Sequence, residues 1–270
     1  MNQPPATRPR FDSNRAWQEG SSAVAGNRDA LLALAGVFIV VPTFALTTLA
    51  PFPAVEQGKD ATHLLEALGV YFDEHWLAVS AVIVAQFIGT LCMLALISER
   101  SRPTVSEAIR LAFRFAPPFL AGMALIMLAM PIIASVPGAL LGISGVAALS
   151  LLGLGAGFVL AFYGLSRLSL FGPAVLTEQR FNPFAALRRS LELTRDNGWR
   201  LTTFLVLLTL AFRLVGLLIV AAASLLTTVA AGPESAAVVA AFFDSVMQGA
   251  YFTFLVAVLS AAYRQLAEPR

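Results

Sequence analysis

Arg213 and Asp244 pose the sharpest chemical question in this sequence. Arg213 is the only base, and Asp244 the only acid, within a long apolar run: residues 201–226 hold the first and residues 236–263 the second. A charge at mid-bilayer costs roughly 2.5–3.5 kcal/mol on insertion scales, and an opposite charge nearby offsets part of that cost. The two runs are consecutive, so their helices are antiparallel and the spacing predicts an ion pair between them. Asp244, Gln248 and Tyr251 stand at i, i+4 and i+7 and share a helix face, while Gln86, in an earlier run, lies at comparable depth. Such a set could hold a substrate, a proton or a lipid headgroup, or it could simply tie two helices together.

Other reactive patterns are missing from the sequence. There is no Ser-His-Asp order, HExxH or phosphate-binding loop. Gly-Leu-Gly-Ala-Gly at 153–157 imitates a nucleotide loop but has no preceding strand. His63 and Glu66 are one helical turn apart, yet with Asp73, Glu74 and His75 they read as a solvated acidic loop rather than a metal site. The single cysteine, Cys92, excludes an internal disulfide. No catalytic residue, metal or cofactor is expected, and the chain does not read as an enzyme.

The elements that would position these residues follow from composition. Apolar residues make up 58% of the chain and charged residues 13%, and the excess is arranged in runs long enough to cross a hydrocarbon core of about 30 Å. Six spans are expected near 30–50, 77–98, 119–140, 143–166, 201–226 and 236–263, in an all-α polytopic membrane protein. Residues 1–15 read as a disordered tail ahead of one membrane domain over 16–270. The first run reads as a retained signal-anchor kinked at Pro42. Residues 62–76 suit a short interfacial helix using Leu64, Leu65, Leu68 and Phe72. Gly153 and Gly157, four apart, give a seam for close helix approach and place the fourth span at the centre of the bundle.

Two further stretches read as amphipathic surface helices. Thr104 and Glu107 fit a capping box, followed by an apolar face of Val105, Ala108, Ile109, Ala112, Phe113 and Ala116, with Arg110 and Arg114 turned away. Pro117-Pro118 then turns the chain into the third span. Asn182-Pro183 opens the second surface helix, with Phe184, Leu187, Leu191 and Thr194 on one face and Arg188, Arg189, Glu192 and Arg195 on the other. Gly198 is expected to end it and Trp199 to sit at headgroup level. Arg110, Arg114, Arg188, Arg189 and Arg195 are thus candidate contacts for anionic lipid. Sixteen arginines fall on one side of the six spans and only Lys59 on the other, so both termini are expected in the cytoplasm. The order surface helix, span, outer loop, span occurs three times, with Ala16, Thr104 and Pro183 in register. Three such helix-pair repeats differ from the inverted repeats of many transporters.

The run NPFAALRRSLELTRDNGWRLTTFLVLL resembles the recurring P-x-x-A-L-x-x-S-x-x-L-T helix of the uncharacterised bacterial YciC-like inner-membrane family. It is also similar to the membrane domain attached to some glycerophosphoryl diester phosphodiesterases. The resemblance implies a six-helix bacterial inner-membrane protein, without the activity of the soluble phosphodiesterase domain. The expected function is non-enzymatic support of envelope or lipid homeostasis, with membrane lipids and their anionic headgroups as partners. The alternative is a small-molecule or lipid transporter built on Arg213, Asp244 and Gln248. Nucleic acid is not an expected partner, and a second copy or another membrane protein is left open.

Overall fold

In the computed structural model, residues 10–53, 61–98 and 104–267 are described, with side chains for all of these except 61–65. Arg8, Glu56, Lys59, Asp60, Arg100, Arg102, Arg270 and the side chain of His63 lie outside the described residues. Among the described residues the chain is all helix: α1 (Ser13–Gly26), α2 (Arg28–Ala35), a π-helical turn at Gly36–Val40, α3 (Val41–Leu49), α4 (Ala61–Ser98), α5 (Val105–Gly142), α6 (Ala147–Leu168), α7 (Phe171–Thr177), α8 (Pro183–Leu193), α9 (Gly198–Ala231) and α10 (Pro233–Ala267). Among the described residues, six stretches are long and apolar enough to cross a membrane: Arg28–Leu49, Glu66–Ser98, Val105–Gly142, Ala147–Thr177, Gly198–Ala231 and Pro233–Ala267. The chain is an all-α polytopic membrane protein with the expected number of spans.

Several boundaries differ from expectation. The tail is ordered from Arg10 onward. Phe11 is 5% exposed, its N–H donates to Asn197 Oδ1 at 2.8 Å, and its ring meets Phe204 edge-on. Residues 62–76 are not a separate helix but the first turns of α4. Pro117-Pro118 does not turn the chain; both prolines lie within α5. Proline withholds an N–H but keeps a helical φ, and an apolar helix packed against neighbours can tolerate that loss. Gly198 opens α9 rather than closing α8, because its bare Cα faces the Tyr163 ring; a Cβ there would lie 2.7 Å from the hydroxyl. Pro42 does coincide with irregular backbone, since the π-helical turn directly precedes α3.

Packing within the chain groups it into two compact units. The first comprises Met1–Asn27, Leu91–Thr209 and Phe254–Arg270, and the second Arg28–Thr90 and Leu210–Thr253. Helices α4, α9 and α10 run on from one unit into the other.

The first unit carries α1, the start of α5 and α8, and these three share one construction. Each begins four residues before a buried small residue, at a side chain that caps the helix. Asp12 accepts from Asn14 and Arg15 N–H, Thr104 forms a capping box with Glu107, and Asn182 accepts from Phe184 and Ala185 N–H. Small residues then follow at four-residue intervals: Ala16 and Gly20, Ala108 with Ala112 and Ala116, and Ala186 with Ser190 and Thr194. The repeat is therefore in register on its caps, Asp12, Thr104 and Asn182, rather than on Ala16, Thr104 and Pro183. Small side chains at i and i+4 let a helix sit close to its support. At Gly20 a Cβ would meet Val258 at 3.1 Å.

Also in this unit, α5 and α6 meet along the expected glycine seam. A Cβ on Gly153 would lie 2.4 Å from the Pro137 carbonyl oxygen, and one on Gly157 would lie 2.0 Å from that of Ala134. Ser150 Oγ adds a bond to the Gly138 carbonyl at 3.2 Å. The placement of this span at the centre of a bundle is corrected, however. Only Gly153, Gly157, Ala161 and Ser166 of α6 are buried, while Leu151, Leu152, Phe158, Val159 and Leu160 are exposed. The glycine stripe serves α5 alone.

Candidate functional site

The second unit holds the expected intramembrane polar group, and the group does not assemble. Phe212 meets the Tyr251 ring at 5.8 Å, and Gly216 faces Met247. Four residues up α9 thus correspond to four residues down α10, which sets Arg213 level with Ala250. At about 1.5 Å per residue, Arg213 is about 9 Å along the axis from the level of Asp244. Side chains also lean toward the N-terminus of their own helix, and these helices are antiparallel, so the two groups lean apart. Both residues are exposed, and no ion pair joins them among the described residues. On this register the expected pairing of the two is not made. Gln248 is half-buried on the same helix. Gln86 serves elsewhere: its Nε2 donates to Thr43 Oγ1 at 3.0 Å, tying α4 to α3 just beyond the π-helical turn.

This geometry makes a measurable prediction. In detergent, Arg213→Leu and Asp244→Leu should have additive effects on thermal stability, with a coupling energy below about 0.5 kcal/mol. A double-mutant cycle that returns more than about 1 kcal/mol of recovery would place the two charges in contact.

His75 likewise has a local role. Its ring stacks on Tyr71 at 4.9 Å, with Nδ1 3.1 Å from the Tyr71 carbonyl oxygen. The Tyr71 hydroxyl in turn donates to the Ala50 carbonyl at 3.0 Å.

The first unit brings the basic residues together instead. At the end of α6, Arg167 is clamped to α8 from both directions. Its carbonyl accepts from Ser190 Oγ at 2.6 Å and Thr194 Oγ1 at 3.2 Å. Its guanidinium donates to the Leu191 carbonyl at 2.6 Å and lies over the Tyr163 ring. Ala186, Ser190 and Thr194, the small residues of the NPFAALRRSLELT run, are thus the docking face of α8. The face expected from Phe184, Leu187, Leu191 and Thr194 divides: Thr194 docks inward, while Phe184, 66% exposed, and Leu191 stay outward. Hydrogen bonds to a carbonyl, rather than apolar burial, select which side of α8 turns inward.

Between α6 and α8 lies an element the sequence reading missed. Helix α7 buries Phe171, Gly172, Pro173, Ala174, Val175 and Leu176, and Phe171 stacks on Phe119. At its end Glu178 gathers three donors: Arg180 Nε at 2.5 Å, Arg189 Nε at 2.7 Å and the Tyr263 hydroxyl at 2.7 Å. Burial alone would raise this carboxyl. The hydrogen bonds from Tyr263, Arg189 and Arg180 outweigh it and hold Glu178 below the ordinary carboxylate range, while the bond to Glu178 raises Arg189. Arg189 is therefore not turned freely outward as expected. The signal for this cluster was weak in sequence, because its members come from three elements.

The other expected lipid contacts remain on the surface. Arg110, Arg114, Arg188 and Arg195 are exposed, with Arg188 3.0 Å from Glu192. Beside them Phe113, Phe181, Phe184, Leu191 and Trp199 are also exposed. Apolar and cationic side chains thus share the outer side of the surface helices.

No protein-family model, curated protein or solved structure matches this chain.

Proposed function

We propose that this chain is a multi-pass protein of the bacterial inner membrane whose surface helices rest on the anionic cytoplasmic leaflet, and that it supports envelope or lipid homeostasis without catalysing a reaction. One observation carries the reading. Helix α8 docks through small residues and turns Phe184 and Leu191 outward together with Arg188 and Arg195. Large apolar groups exposed beside arginines suit a headgroup boundary, where both find a partner. The sixteen-to-one distribution of basic residues supports a cytoplasmic position for these helices and both termini. The resemblance of the 182–208 run to the YciC-like family points to the same kind of protein.

Each arginine near an anionic surface contributes about 1 kcal/mol, so several acting together should select the lipids around the protein. In nanodiscs of mixed phosphatidylcholine and phosphatidylglycerol, native mass spectrometry should show phosphatidylglycerol enriched on the protein, less so as salt rises. The Arg110→Gln/Arg188→Gln/Arg195→Gln variant should lose at least about threefold of that enrichment. Equal retention by the variant and the unaltered protein would overturn the reading.

A further inference from the structure

The Glu178 cluster has more positive charge than its single carboxylate requires. Gln179, just after α7, takes a left-handed φ of 49°, and the Arg180 N–H returns to the Val175 carbonyl at 3.0 Å. That turn sends Arg180 back onto one oxygen of Glu178, while α8 brings Arg189 to the other. Both guanidiniums are held side-on, through Nε. Among the described residues, no further acceptor meets their terminal Nη groups. A third guanidinium is held on the ring of the residue that follows Arg180. Arg114 lies over the rings of Phe115 and Phe181, 5.7 and 5.8 Å from the centroids, and those rings stack on each other at 4.8 Å. Phe181 directly follows Arg180, so the stack fixes Arg114 against the same short segment. Arg180 and Arg189 share the single carboxylate of Glu178, with Glu192 also acting on Arg189, and Arg114 adds a further cation on the ring next in sequence. The Arg180 and Arg189 side chains are 39% and 31% exposed, so both are reachable.

We propose that Arg180 and Arg189, with Arg114 on the Phe181 ring, bind a phosphate ester. Glu178 acts as a positioning residue: it fixes the two guanidiniums by Nε and leaves their Nη edges for the ligand. A planar guanidinium offers paired N–H donors that match two phosphate oxygens, whereas an ammonium offers only a point charge. The inference rests on the reading of the surface helices as lying on an anionic leaflet, and it narrows that reading to one chemical group. The phosphate can come from a lipid headgroup or from a soluble phosphate.

The distinction between a fork and a charge supplies the test. Full-length protein in phosphatidylcholine nanodiscs containing phosphatidic acid is compared with Arg180→Lys/Arg189→Lys and with Arg188→Lys/Arg195→Lys. All three carry the same charge, so leaflet attraction alone predicts equal retention of phosphatidic acid in native mass spectra. The proposed site predicts about a fivefold loss for Arg180→Lys/Arg189→Lys and no change for Arg188→Lys/Arg195→Lys. Arg114→Gln leaves the Glu178 contacts intact and should lose about two- to threefold. It keeps the test decisive if the double variant elutes as misfolded protein. Equal retention across the two lysine variants, with Arg114→Gln unchanged, overturns the site while the leaflet reading stands. Loss of phosphatidic acid by none of the variants at any salt concentration, with no enrichment by the unaltered protein, overturns both. Millimolar inorganic phosphate in neutral nanodiscs separates the sources. A thermal shift in the unaltered protein that is missing in Arg180→Lys/Arg189→Lys assigns the site to soluble phosphate. Retention of phosphatidic acid without that shift assigns it to a headgroup.

Discussion

Gly157→Ala should sharply reduce the thermal stability of the protein in detergent, while Gly155→Ala, two residues away, should leave it unchanged or slightly raised. Both substitutions add one methyl and both improve helix propensity by up to about 1 kcal/mol. They differ only in what the methyl meets. Around Gly155 there is nothing within 4 Å, but at Gly157 the new carbon would lie 2.0 Å from the Ala134 carbonyl oxygen and 2.8 Å from its carbon. Those atoms are backbone and cannot rotate aside, so α5 and α6 must separate. Separation undoes the Gly153 contact with Pro137 as well, because the two glycines lie on one stripe. Overpacking a fitted interface typically costs 1–3 kcal/mol, and a contact of backbone on backbone should fall at or above the top of that range. Thermal unfolding of the two variants side by side checks it. Equal stability would mean that α5 and α6 do not pack on this seam.

That seam was legible in the sequence because two glycines four apart state a requirement that only a close neighbour explains. The six spans were legible for a similar reason: runs of about 20 apolar residues have few alternatives. The capping residues Thr104 and Asn182 were also readable, since capping depends on side chains within one turn of each other. What failed depended on tertiary contacts. Pro117-Pro118 looks like a break, because sequence reports the missing N–H and not the neighbours that tolerate it. Helix α7 was passed over because FGPAVLT is too short to span and has no polar face to mark it as amphipathic.

The site divides along the same line. Arg213 and Asp244 were visible as an anomaly, but whether they meet depends on the α9–α10 register, which Phe212–Tyr251 and Gly216–Met247 set. Six residues of axial offset cannot be read from two apolar runs. In α8, Arg188, Glu192 and Arg195 are exposed as their spacing suggests, but the residues expected on the opposite face divide, with Thr194 turned inward and Phe184 and Leu191 exposed. Ser190 and Thr194 won the inward position because the Arg167 carbonyl at the end of α6 needs donors. In a chain surrounded by lipid, apolar groups gain little by turning inward, and polar groups gain much.

The Glu178 cluster is where that argument predicts the largest effect of a polar substitution. Glu178→Ala should lower stability by roughly 2–4 kcal/mol, discounted from the 3–5 of a fully buried pair because both guanidiniums keep about a third of their exposure. The loss has two sources: the Tyr263 hydroxyl is left without its acceptor, and Arg180 and Arg189 are left to repel each other. Glu178→Gln should cost less, since the amide oxygen still accepts. The same cluster fixes the sign of a pH effect. Glu178 is held below the ordinary carboxylate range in the folded protein, so its contribution is complete above about pH 4.3, the value for a free glutamate. It is lost as pH falls through the lowered folded value and the carboxyl takes up a proton. The difference in melting temperature between the unaltered protein and Glu178→Gln should therefore be constant from neutral pH down to about pH 5 and shrink below about pH 4. A difference that grows on acidification would mean that the carboxylate is not held ionised by its three donors. A difference of zero at neutral pH would mean that Arg180, Arg189 and Tyr263 do not depend on it.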